Sequence, residues 1–180
     1  KEPKLLKAKF GQPGSVISAD WKKDRVKSGE EVKLSINVKG FEDGTPAKIL
    51  IWKRKGSQDT FIALIDAEIR GNKAEITWKH ALEEREELKK EVEEEEEPEY
   101  HFVVDAEGEE KVSKALTFTY PLDIYLEDED ENPLDDVEYT ITLSDGTKKK
   151  GKFKEGHAKM EDVPYGRFVV EVEGYDFVFE

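Results

Sequence analysis

Hydrophobic residues fall at every second position through most of this chain, the spacing that gathers them on one face of a β-strand. Between Glu30 and Gly40, Val32, Leu34, Ile36 and Val38 alternate with polar residues, as in a strand buried on one side. Further on, Ile49 and Ile51 share one face, and Leu50 and Trp52 the other. Residues 61–78 read as an outward run ending at Ile69 and a return carrying Ala74, Ile76 and Trp78 on one face. Gly71-Asn72 joins the two, residues that accept the positive φ of a tight hairpin turn. Tyr100, Phe102 and Val104 share a side, Gly108 marks a turn, and "KALTFTY" completes the series. Short strands separated by such turns predict a small β-sandwich over residues 1–120.

The alternation resets at Pro121. Leu122, Ile124 and Leu126 line one face of a strand. "YTITL", "KKGKF" and "HAKM" follow, separated by turns at Asp145-Gly146 and Glu155-Gly156. A Pro164-Tyr165-Gly166 turn leads to a closing strand with Phe168, Val170 and Val172 in register. Residues 121–180 therefore form a second small sandwich.

One interval breaks the period of two. In "KHALEEREELKKEVEEEEEPEY", Ala81, Leu88 and Val92 fall on one helical stripe, and Pro98 ends it. We read residues 80–98 as an acidic helical or loop crossover facing solvent, with an interaction arm as the alternative. The fold class is mainly β: two small β-sandwich domains and one acidic crossover.

Composition restricts the partners. Charged residues make up 40% of the 180 positions and hydrophobic residues 36%, so the core is economical; three Trp, nine Phe and six Tyr fill it. Acidic residues outnumber basic ones 43 to 29, a net charge of −14. Such a surface repels phosphate backbones and anionic lipid, which argues against nucleic-acid or membrane partners. The compact basic stretches, Trp52–Lys55 and Lys148–Lys150, fall beside turns and read as solvated strand ends. No long apolar run offers a bilayer span. Without cysteine there is no disulfide, thiolate zinc site or thiol nucleophile. The chain opens at Lys1 with no visible leader, as expected of a trimmed or excised piece.

Signatures of catalysis are missing from the sequence. His80, His101 and His157 form no HExxH pair, and neither GxSxG, GxGxxG nor GxxxxGK[ST] occurs. The expectation is a non-enzyme. Metal chemistry has one candidate: Asp128, Asp130 and Asn132 alternate as in the first half of a calcium loop. Counted from Asp128, however, Pro133 stands where an EF-hand needs glycine and Tyr139 where it needs glutamate. A looser calcium site would gather Asp128, Asp130 and Asp135 or Asp136; Pro133 and Asn132 favour a plain turn, and no cofactor is expected. Trp21, Trp52 and Trp78 are the candidates for stacking against a ligand.

The C-terminal stretch carries a resemblance in Pro133, Tyr139, Asp145-Gly146-Thr147, Gly156 and Val163-Pro164-Tyr165-Gly166. In these positions it resembles a recurring module of bacterial phage-tail-like machines, found with type VI secretion spikes, Rhs-type toxins and LysM proteins encoded beside tail genes. The layout is also similar to transthyretin-like and carboxypeptidase-regulatory-like sandwiches. That family commonly has glycine in the acidic turn, where this chain has Glu131-Asn132. The stretches "ADWKKDRVKSGEEVKLSINVKGFEDGTPAKILIW", "AEITW" and "YHFVVDAEG" resemble an immunoglobulin-like unit preceding such a module. The resemblance implies an Ig-like domain followed by a transthyretin-like one, serving as a structural or protein-binding element of a larger assembly. It would reside in the bacterial cytoplasm before assembly, or be secreted or displayed at the surface. The alternative is a carbohydrate- or peptidoglycan-binding surface module, which exposed coplanar tryptophans would favour. A third reading is a calcium-dependent adhesin-like domain. The oligomeric state has no sequence signal.

Overall fold

The computed structural model describes residues 13–80 and 96–174. The fold is all β, and no described residue is helical. The crossover expected over 80–98 lies almost wholly at 81–95, outside the described residues.

The described residues divide into two compact units. One takes residues 13–24, 32–78 and 100–115; the other takes 25–31, 79–80, 96–99 and 116–174. The first holds a three-stranded sheet ordered β1 (Ser15–Trp21), β3 (Glu31–Lys39), β6 (Lys73–Lys79). Its second sheet is ordered β5 (Gln58–Glu68), β4 (Pro46–Lys55), β7 (Glu99–Ala106), β8 (Glu109–Val112). Three strands lie in one sheet and four in the other, and the chain changes sheet between β3 and β4, between β5 and β6 and between β6 and β7, as in a β-sandwich.

The alternation read from the sequence sets the core. Leu34, Ile36, Ile49, Ile51, Phe102 and Val104 are fully buried. Aromatic contacts tie the two sheets together: Trp21 of β1 meets Phe102 of β7 edge-on at 4.9 Å, and Trp78 of β6 lies 6.0 Å from Tyr100 of β7. Each such pair adds about 0.5–1.5 kcal/mol beyond area burial.

The Gly71-Asn72 turn forms as expected, with φ of 56° and 62° and a bridge between Arg70 and Lys73. Its strands then part. β5 pairs with β4 and β6 joins the opposite sheet, so the hairpin is one bridge long. The cause is the fully buried Ile69, whose backbone bonds to Thr45 and Gly44 hold the end of β5 in its own sheet.

The second unit stacks two three-stranded sheets. One is β12 (His157–Pro164), β9 (Thr117–Tyr125), β2 (Arg25–Lys27); the other is β11 (Lys148–Lys152), β10 (Glu138–Thr142), β13 (Val169–Val172). Leu126, Phe153, Ala158 and Val172 form one buried cluster, and Ile141, Leu143, Met160 and Val163 another. Phe168, expected in register with Val170 and Val172, precedes β13 and is partly exposed. β12 carries a bulge between Met160 and Val163, with Asp162 at φ 60°. The bulge turns Glu161 and Asp162 toward Lys27 of β2, whose Nζ lies 3.2 and 3.0 Å from them.

Candidate functional site

The acidic segment folds as a capped turn. Asp128 accepts hydrogen bonds from the Asn132 amide at 2.8 Å, from Asn132 Nδ2 and from the Asp130 amide at 2.9 Å. These bonds, those of Asn132 foremost, hold the Asp128 carboxyl below its ordinary range. Glu131 takes φ 63°, a left-handed conformation that glycine adopts more readily than other residues. Asp135 instead caps the Glu155 amide at 2.8 Å, and Asp136 pairs with Lys152 at 3.1 Å. Asp130 contributes its amide to the Asp128 cap and is itself exposed. Among the described residues no group of three or more acidic or histidine side chains is placed to hold a metal ion.

The turn motifs behind the resemblance meet in pairs. Gly156, at φ 70°, lies so close to Pro133 and Leu126 that a Cβ would come 2.6 Å from Pro133 Cβ and 2.8 Å from the Leu126 carbonyl oxygen. The Leu126 amide donates to the Gly156 carbonyl at 2.8 Å, so the acidic turn and the Glu155-Gly156 turn close one end of the unit together. Elsewhere in the unit, Ser144 Oγ donates to the Tyr165 carbonyl at 2.7 Å, and a Cβ on Gly166 would meet Ser144 at 2.8 Å. Asp145 caps the Thr147 amide, a bond that lowers its carboxyl pKa. These residues hold turns to turns.

The tryptophans separate into two settings. Trp21 and Trp78 are core residues, 5.8 Å apart and tilted. Trp52 lies on the outer face of the four-stranded sheet, edge-on to Phe61 at 5.4 Å and 72°. The expected candidates thus supply no coplanar exposed pair. What they border is an apolar face. Register places Leu64 opposite Leu50, Phe61 opposite Trp52 and Val112 opposite Val103. A register shift after Ile51 brings both Phe61 and Leu64 to the outside, although three positions separate them. Phe61, Leu64 and Val112 are 49, 51 and 59% exposed. The sequence alternation had shown that β4 has two apolar faces, but not that its outer one stays uncovered.

Two further surfaces belong to the second unit. A charged hollow of about 580 Å³ lies along β11, β10 and β13, lined by Glu138, Thr140, Lys150, Lys152 and Glu171 around Gly151. Lys152 is held above its ordinary pKa, first by Asp136 and then by Glu138. On the other sheet, Tyr125 of β9 stacks on His157 of β12, with ring centroids 4.7 Å apart and 16° between planes. His157 Nε2 lies 2.8 Å from Asp123 Oδ1. The sequence reading placed His157 after a turn and passed over Tyr125; only the cross-strand register brings them together.

No family model matches the sequence, and no curated protein matches it.

Proposed function

We propose that this chain is a non-enzymatic structural or protein-interaction module of a bacterial phage-tail-like or type VI secretion-type assembly. The observation that carries the reading is the outer face of the four-stranded sheet, where Trp52, Phe61, Leu64 and Val112 form an apolar surface on an otherwise densely charged chain. Exposed apolar surface gathered on one sheet is what a partner protein covers. The turn motifs add support of a different kind. Pro133, Gly156, Tyr165 and Gly166 occupy places where they hold the second unit together, which suits a module recurring as a building block.

The test is co-expression with the spike and baseplate proteins of the source genome. A partner is expected to co-purify, and the double substitution Phe61→Asp and Leu64→Asp is expected to abolish the complex while lowering the melting temperature by only several degrees, through the lost Trp52 contact and the poorer strand residue. Failure of every such protein to co-purify would remove the reading, as would a complex that tolerates both charges.

A further inference from the structure

We propose that the outer face of the β12-β9-β2 sheet is an oligosaccharide-binding site built on Tyr125, with Asp123, His157 and Lys159. The proposal stands apart from the protein-docking face of the other unit. Leu122 and Ile124 pack against the core clusters, so alternation turns Asp123 and Tyr125 outward. Ala158 and Met160 are buried, which turns His157 and Lys159 to the same side. Register sets Tyr125 directly opposite His157 and Asp123 directly opposite Lys159. Four side chains of different chemistry therefore share one small surface.

Each has a definite part. Asp123 holds the imidazole by one oxygen, and the imidazole backs one face of the Tyr125 ring at nearly parallel planes. Tyr125 is nevertheless 66% exposed, so the stack fixes the ring and leaves its other face to solvent. β2 pairs only with Thr117, Phe118 and Thr119. Beyond Thr119, β9 has a strand partner on the β12 side alone among the described strands, which leaves a lane beside the ring. Beside that lane, Asp123 Oδ2 accepts no hydrogen bond, and across Asp123 from it, on β12, Lys159 makes no ion pair within the described structure.

A fixed aromatic face beside a spare carboxylate oxygen and a spare ammonium suits a pyranose. One side of a sugar ring with equatorial hydroxyls is a sheet of C–H bonds that stacks on an aromatic face, and its rim both donates and accepts hydrogen bonds. A purely apolar ligand would leave both charged groups without partners, and an anionic ligand would be repelled by Asp123. Trp52 and Phe61 stand edge-on and offer no comparable platform.

The experiment is an amide NMR titration of the full chain with cellohexaose and, separately, chitohexaose, which separates plain hexose from N-acetylhexosamine recognition. Shifts centred on residues 123–125 and 157–159 are expected with at least one sugar. Tyr125→Phe keeps the ring and is expected to retain binding, whereas Tyr125→Leu keeps apolar bulk without the flat face and is expected to weaken it about tenfold or more. The chain carrying Phe61→Asp serves as a control and binds sugar as before. Absence of shifts with both sugars up to their solubility overturns the proposal, as do shifts confined to another surface or binding unchanged in Tyr125→Leu.

Discussion

Two glycines of the second unit have similar backbone angles and very different surroundings. Gly156 and Gly146 both have positive φ, at 70° and 82°. Around Gly146 a Cβ would meet nothing within 4 Å, whereas at Gly156 it would run into Pro133 and the Leu126 carbonyl. Gly146→Ala therefore costs only the left-handed conformation, about 1 kcal/mol. Gly156→Ala adds steric overlap against a proline ring and a backbone oxygen, neither of which can swing aside, for a total of ~2–4 kcal/mol. Urea unfolding of the two variants measures the difference, and equal losses would show that the Pro133 contact contributes nothing. Gly151 differs again: a Cβ there would meet the Tyr139 ring and hydroxyl, which lie over it from the opposite strand. The sequence marks Gly146 and Gly156 as turn residues. The crowding at Gly156 was not legible, because Pro133 is brought to it by the pairing of β9 with β12 rather than by neighbouring residues.

At the scale of elements, the turns are held by carboxylates and the strands by alternation. Asp128 and Asp145 each accept backbone hydrogen bonds from the turn they begin, and both carboxyls are lowered in pKa by those bonds. A folded pKa below the unfolded value of about 3.9 means the stabilisation is complete above that value and is lost as pH falls through the folded pKa. The melting temperature is thus expected to fall on acidification below about pH 4. The double variant Asp128→Ala and Asp145→Ala is expected to melt lower at neutral pH and to show a shallower fall in acid. An unchanged acid slope would mean that other carboxylates set it. These turns were partly visible beforehand: Asp145-Gly146 announces one, and Pro133 with Asn132 favours another. For strands, the period of two placed Leu34, Ile36, Ile49, Ile51, Phe102 and Val104 in the core. It could not show that β5 and β6 separate into opposite sheets, nor that the register shift opposite Trp52 would bring Phe61 outward. Both depend on pairing between distant strands, which a local pattern does not encode.

At the scale of the molecule, the chain passes between its two units at five places: 24/25, 31/32, 78/79, 99/100 and 115/116. The least legible of these excursions is β2, three residues long with Val26 alone buried, too short for any period to register. It nevertheless pairs in parallel with Thr117, Phe118 and Thr119 of β9, and Lys27 of that strand bridges to Glu161 and Asp162 across the bulge of β12. A cut after residue 120, where the alternation resets, would pass through β9 itself. The fragment 121–180 would lose β2, the buried Leu116 and Phe118, and the pairing of Tyr120 with Val163 and of Thr119 with Pro164. With two small clusters remaining in about sixty residues, burial falls short of what an independent domain needs. That fragment is expected to show no cooperative thermal transition and poor amide dispersion. Residues 1–115 keep every strand of the first unit and are expected to unfold cooperatively by the same measurement. A cooperative 121–180 fragment would mean that β2 and the first half of β9 are accessory, and that the second sandwich is carried by its turns and its two core clusters alone.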